Sequence, residues 1–422
     1  MKGYCADFLF TGDQVINNGC VVYEGDRILE AGTKGSIEKC KDPVVLKGYT
    51  LMPGLIDAHI HITGFRSGDY IKESLITPYA TLVARAIKDL ESVIMAGYTT
   101  IVDAGSIISL ELKHAEKEGA IVSPRIIAAG YPVSQTYGHG DIHFLPPELV
   151  DPRTSKLKMP FQILLCDGPS ECRKAARYAL RTGADFIKVF TTGGIASEKD
   201  RPEYQQMTRE ELNAIVEEAY RAHKFVHAHA EGREGIIAAL EAGITRIAHA
   251  IYLDEDGISL AKEKNAVIIP TLTIIDLILR FGEASGLPEW AIQKTREAQD
   301  HHINSIKKAY KEGIKLATGT DFFINSRSYN VYGLNSLEIL LLVNEIGLSP
   351  IEALKAATVN SAYVAGLTNE IGLLKPGYKA DTIAVKGNPL EDPTLLLGPD
   401  NVHLVVKNGT VYKDTIVTNQ TV

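Results

Sequence analysis

A chain of 422 residues, 45% of them hydrophobic, has the size of a large barrel with appended pieces. A formal net charge of −8 argues against nucleic acid or an anionic membrane surface as its main partner. No window reaches the ~20 apolar residues of a spanning helix, and the N-terminus Met1-Lys2-Gly3-Tyr4-Cys5-Ala6-Asp7 has no long apolar run after its charge, so no membrane association and a cytoplasmic location are expected.

In residues 1–52, Asn17-Asn18-Gly19 before Cys20-Val21-Val22-Tyr23 and Gly25-Asp26 before Arg27-Ile28-Leu29 predict turns of small β hairpins. From residue 53 onward, β-like runs alternate with amphipathic stretches, the pattern of a parallel α/β architecture. Strands are predicted near 55–62, 99–105, 125–130, 186–192, 225–230, 246–250, 267–272 and 315–321, with helices such as Ser170–Arg181, Thr208–His223 and Pro288–Gly313 between them. Eight strands with crossovers is the count of a closed (β/α)8 TIM barrel. Residues 273–287 and 322–333 follow strands seven and eight and are expected to shape a pocket as loops or short lids. Cys5, Cys20, Cys40, Cys166 and Cys172 are odd in number and lack a metal-knuckle spacing, so reduced thiols are expected.

Chemistry-bearing residues recur at the strand ends. Pro53-Gly54-Leu55-Ile56-Asp57-Ala58-His59-Ile60-His61 places His59 and His61 on one face of a strand, where two neutral imidazoles suit a divalent cation such as zinc. The run 184–190 sets Lys188 inside an apolar strand, where an ammonium is costly unless it loses its charge or finds a partner. Phe225-Val226-His227-Ala228-His229 gives two further imidazoles, Arg246-Ile247-Ala248-His249 another, and Lys315 to Asp321 closes on a carboxylate. Each alone has a bland reading as a satisfied polar group or a cap. Their serial order argues against coincidence.

This set resembles the metal-dependent amidohydrolase superfamily, especially its imidazolonepropionase-like and prolidase-like (Xaa-Pro dipeptidase-like) branch, over nearly the whole chain. The resemblance implies two divalent metal ions, zinc first among several candidates, held by His59, His61, His229, His249, Asp321 and a carboxylated Lys188. His229 is preferred to His227 because it opens His229-Ala230-Glu231-Gly232, followed by Leu240-Glu241-Ala242-Gly243, similar to the family's run between strands five and six; His227 is the second choice. Leu373 to Val385, with its Pro376-Gly377 and Ala380-Asp381, resembles part of the β-sandwich that the family assembles from both chain ends. The expected domains are therefore 1–52 with 371–422 as a composite β-sandwich and 53–370 as the barrel.

The implied activity is hydrolysis of a C–N bond in a small-molecule substrate by a metal-bridging hydroxide, since two cations lower the pKa of a shared water from ~15.7 toward ~7. Asp321 is the candidate to accept that water's proton, and His139, in Gln135-Thr136-Tyr137-Gly138-His139-Gly140-Asp141, the candidate donor to an oxyanion. Relatives of this branch act on dipeptides, N-acyl amino acids and imidazolones. Glu231 departs from the aromatic that some dipeptidase-like relatives carry there, while Arg66, Arg201 and Arg327 are candidates to meet a substrate carboxylate. A cyclic amidase, a lactonase or phosphotriesterase-like hydrolase, a mononuclear deaminase and a non-enzymatic scaffold are the alternatives. A homo-oligomer is compatible with the class.

Overall fold

The computed structural model describes residues 1–326 and 331–416. Eight parallel strands, Leu55–Ile60, Tyr98–Asp103, Arg125–Ala128, Ile187–Phe190, Val226–Ala230, Arg246–His249, Val267–Ile269 and Lys315–Leu316, follow one another around a barrel. The ring closes between strands eight and one, where Ala58 N donates to Thr318 O, Asp321 N to His59 O and His61 N to Phe322 O, each at 2.8 Å. Strand three is broken after Ala128 and resumes as Val133–Ser134, where Val133 pairs with Val189 of strand four. Gly319 lets strand eight approach strand one this closely, because a Cβ there would stand 2.7 Å from the Cβ of His59.

Helices cover the barrel with the expected periodicity. Tyr79–Met95 buries Leu82, Ala86, Leu90, Val93 and Ile94, one stripe of a 3.6-residue repeat. The helices expected over Ser170–Arg181, Thr208–His223 and Pro288–Gly313 are Pro169–Arg181, Arg209–Arg221 and Glu289–Lys311. Arg209–Arg221 starts at a capping box in which Thr208 and Glu211 satisfy each other's backbone N–H groups. No helix among the described residues is long and apolar enough to cross a membrane.

Both chain ends interleave in one seven-stranded sheet, ordered Thr410–Asp414, Val402–Lys407, Thr382–Lys386, Val44–Pro53, Lys2–Phe10, Val15–Glu24 and Arg27–Thr33. Neighbouring residues along its strands point to opposite faces. Phe10, Met52, Val385 and Val405 join the barrel core, whereas Leu9, Leu51, Ala384 and Leu404 form a separate core with Tyr4, Val21 and Tyr23. Asp381, from the Ala380-Asp381 pair singled out in the sequence, is bound by Arg125, the first residue of barrel strand three, at 2.7 and 3.3 Å. That pair pins the sheet to the floor of the barrel.

Three expectations are corrected. Asn17-Asn18-Gly19 lies within strand Val15–Glu24, and the chain reverses instead at residues 11–14, where Thr11 N donates to Gln14 O. The segment expected as a loop over 273–287 is largely a helix, Leu272–Ser285. The cysteines are not all free thiols: the hairpin register sets Cys5 opposite Cys20, which form a disulfide, Cys166 pairs with Cys172, and Cys40 alone is free. This removes the thiol-based argument for a reducing compartment.

Candidate active site

The proposed ligands meet at the C-terminal mouth of the barrel. His59 Nε2 and His61 Nε2 lie 3.4 and 3.2 Å from Asp321 Oδ1, and Lys188 Nζ lies 3.4 Å from His59 Nε2. The rings of His59 and His249 are 5.2 Å apart, and those of His229 and His249 4.7 Å. Strand alternation brings His59 and His61 to one face, and the backbone then turns sharply to deliver the later side chains. His249, Ala250, Thr271 and Asp321 all have φ between 55° and 73°, a left-handed conformation that is costly for residues with a Cβ and concentrates at functional sites.

Each imidazole is anchored by its outer nitrogen. His59 Nδ1 meets His227 Nε2 at 2.9 Å, His61 Nδ1 meets Gly105 O at 3.4 Å, His249 Nδ1 meets Thr271 Oγ1 at 2.7 Å, and His229 Nε2 meets Gly193 O at 3.1 Å. Carbonyl oxygens can only accept, and Thr271 Oγ1 also lies 2.6 Å from Pro270 O, to which it donates. The anchored nitrogens of His61, His229 and His249 therefore carry the protons, leaving the other nitrogen of each ring as a lone pair. Burial holds His229 well below the usual imidazole pKa and, against the Asp321 charge, does the same for His249, while burial and then the Lys188 charge lower His59 to about 3, so these rings are neutral.

The Nε2 atoms of His59 and His61 thus converge with a carboxylate oxygen in a single cluster whose ligand atoms lie within 4.8 Å of one another. Acceptors packed like this repel unless a cation stands between them, so the donor set fits a divalent metal. Asp321 is the carboxylate of this cluster and faces the Nε2 atoms of His59 and His61 across 3.4 and 3.2 Å. Lys188 is buried, and desolvation, only partly countered by Asp321 and Glu231, lowers its pKa to about 7.

Several supporting residues escaped the sequence reading. Asp57 is fully buried and accepts from His59 N, Thr320 N, Thr320 Oγ1 and Asn335 Nδ2 at 2.7–3.2 Å, tying the strand of His59 to that of Asp321. Its signal was present in the sequence: an acid in an apolar strand, two residues before His59. His227 is not at the centre of the cluster but behind His59. His139 stacks on His229 with ring centroids 4.2 Å apart, and its Nδ1 meets Ser197 Oγ at 2.7 Å. Ser197 in turn donates to the buried Asp200, which also accepts from Gln206 Nε2 at 3.0 Å. Gly194 makes room for this ring, since a Cβ there would lie 2.3 Å from His139 Cε1.

A cleft opens above the cluster and out to solvent. Its walls are mainly apolar: Ile142, Phe161, Ile163, Phe190, Ile195 and Phe323 from loops and strand ends, and Ile274, Ile275 and Ile278 from helix Leu272–Ser285. Arg66 is committed to Asp89 through bonds of 2.9 and 3.0 Å, and Arg201 pairs with Glu297 at 3.1 Å; neither lines the cleft. Arg327 lies outside the described residues.

Residues 50–412 match the model of the amidohydrolase family. The chain belongs to this family. A curated relative, ochratoxinase of Aspergillus niger, is 34% identical over 424 residues, which cover 97% of this chain and 86% of the relative. The crystal structure of that ochratoxinase superposes with a TM-score of 0.87 at 32% identity, covering 98% of this chain and 96% of the other. A Xaa-Pro dipeptidase with bound methionine in its active site gives a TM-score of 0.84 at 27% identity, covering 98% and 99%. This amidohydrolase therefore stands in the branch expected from its motifs, has the barrel with a terminal β domain, and is a hydrolase acting on C–N bonds.

Proposed function

We propose that this amidohydrolase is a binuclear metal enzyme that cleaves the amide of a bulky apolar small molecule. The observation that carries the reading is the inward convergence of the His59 and His61 Nε2 atoms on the Asp321 carboxylate, with Lys188 alongside. His59, His61, His229, His249, Asp321 and carboxylated Lys188 are the proposed ligands of two divalent ions, zinc being the first candidate. When bound, such ions supply acidification of a water and polarisation of a carbonyl.

The chain's own residues do the rest. Asp321 accepts the proton of the attacking water and passes it to the departing nitrogen. Because Ser197 donates to Asp200, its oxygen accepts from His139 Nδ1–H, leaving His139 Nε2 as an acceptor facing the cleft. Burial lowers His139 to about 4, so it stays neutral at pH 7. We therefore assign it to hold the N–H of the scissile amide in the ground state, rather than to donate to an oxyanion. The apolar walls exclude water and favour aromatic or branched substituents over small dipeptides.

Metal content per chain, measured by elemental analysis on wild type and Lys188→Ala purified with bicarbonate, tests the core of this reading. About two metals falling to about one or fewer, with loss of amide hydrolysis, supports it. About one metal in both proteins sinks the binuclear site and brings the mononuclear deaminase forward.

A further inference from the structure

Residues 194–200, beyond the end of barrel strand four, form neither helix nor strand, yet Gly194, Ile195, Ser197 and Asp200 are buried. The loop closes one side of the cleft with Ile195 and Ala196 and carries Ser197, the partner of His139. Carbonyls in a loop of this kind must find their donors elsewhere. Five of them accept from side chains of other segments: Ala196 O from Tyr70 Oη at 3.4 Å, Lys199 O from Tyr137 Oη at 2.9 Å, and Gly194 O, Ser197 O and Asp200 O all from Lys294 Nζ, the first two at 3.3 and 2.5 Å. Three carbonyls converging on one nitrogen use all three N–H groups of an ammonium, whereas a neutral amine has only two. Lys294 is thus a built-in cation around which the loop is wrapped.

The lysine stands on a firm platform. Helix Glu289–Lys311 buries Ala291, Thr295, Ala298 and His302. One turn beyond Lys294, Ala298 shares an apolar cluster with Ile195, Ile251 and Ile275, and Glu297 pairs with Arg201 at the end of the loop at 3.1 Å. Positions 294, 297 and 298 lie on one face of the helix, so a single surface receives the loop. On its other side the loop meets His139, whose Nδ1 lies 2.7 Å from Ser197 Oγ, while Ser197 donates to Asp200. The ammonium beneath Ser197 O and Asp200 O therefore fixes the two residues that orient this imidazole.

We propose that Lys294 is a positioning residue whose ammonium latches residues 194–200 as a lid, turning Ser197 toward His139 and closing Ile195 and Ala196 over the cleft. The catalytic consequence rests on the amide-hydrolase reading above and on the role given there to His139. The latch stands on the three carbonyls alone. Without the ammonium their oxygens would face one another around an empty centre, and the loop would lose the bonds that hold its buried turn.

The test uses the metal-loaded full chain and limited digestion by trypsin, with mass spectrometry timing the cut after Lys199, an exposed residue of the lid, against cuts elsewhere. In Lys294→Met, which keeps an apolar stem, the cut after Lys199 is expected to accelerate by about tenfold or more while the other cuts keep their wild-type rates. In Lys294→Ala, propylammonium replaces the missing atoms and is expected to slow that cut again, whereas 1-propanol, which fills the same space without the charge, is not. Unchanged cutting in Lys294→Met, equal acceleration at every site, or equal effects of propylammonium and 1-propanol overturns the proposal. With 3-phenylpropionyl p-nitroanilide as the apolar amide, Lys294→Met is expected to lower kcat/KM by about tenfold in the wild-type background and by less than about twofold in His139→Asn, because the lysine acts through the imidazole. Additive losses overturn the positioning role. If wild type leaves this anilide intact, the amide-hydrolase reading fails separately, and the digestion alone decides the latch.

Discussion

The Arg125–Asp381 joint between barrel floor and terminal sheet should be among the costlier single contacts to remove. Their side chains are 13% and 3% exposed, and Arg125 also reaches Thr100 Oγ1 at 2.8 Å and Asn408 Oδ1 at 2.5 Å. Arg125→Met keeps most of the apolar stem but strips Asp381 of both guanidinium bonds, leaving its side chain only the Asn408 N–H at 2.8 Å. Removing one partner of a buried pair costs about 3–5 kcal/mol, and the residual exposure of Arg125 places this case near ~3 kcal/mol, roughly a hundredfold in the folding equilibrium. Urea unfolding followed by fluorescence of Trp290, the single tryptophan, and by far-UV circular dichroism measures it. Asp381→Asn and the double variant complete a cycle whose coupling energy should exceed ~1 kcal/mol. The joint lies at the opposite barrel end from the ligands, so metal content should not change. A cost below ~1 kcal/mol for Arg125→Met, or additive single effects, would refute the argument that this pair holds sheet to barrel.

Further outcomes follow from the site. Thr271→Val removes the acceptor of His249 Nδ1–H and should weaken metal retention by about 10–100-fold in a chelator competition, while Thr271→Ser restores it; equal loss in both would show that the methyl, not the hydroxyl, matters. With Lys188 lowered to about 7, the neutral amine grows in as pH rises through that value, so metal-free protein at fixed CO2 activity should gain a 13C carbamate resonance over that range. The resonance should be absent from Lys188→Ala, and an onset only near the ordinary lysine pKa would contradict the burial argument. Alkylation in denaturant without reductant should label Cys40 alone, and all five cysteines after reduction; five labels without reductant would dissolve the two disulfides.

The residues at strand ends were legible because strand periodicity is local. His59 and His61 share a face by counting in twos, and the order of Lys188, His229, His249 and Asp321 follows the winding of a barrel. The anchors behind them were not legible, because folding joins them across the chain: Asp57 reaches Thr320 over 263 positions and Asn335 over 278. Turn chemistry misled at Asn17-Asn18-Gly19, where Gly19 has a packing reason instead: a Cβ there would lie 2.3 Å from that of Leu9. The cysteine pairing was hidden by the odd count of five, whereas it is the register of Lys2–Phe10 on Val15–Glu24 that sets Cys5 against Cys20.

The interleaving of chain ends in the terminal sheet has a consequence for synthesis. Strand Val44–Pro53 sits between Lys2–Phe10, made at the outset, and Thr382–Lys386, made after the whole barrel. During translation the first four strands can pair early, yet one edge of Val44–Pro53 keeps its N–H and C=O groups unpaired and Met52 uncovered until some 330 further residues emerge. An open edge held for that long is a template for pairing with another nascent chain. Truncation before Lys386 would make the exposure permanent, so the last strands act as a seal on the first.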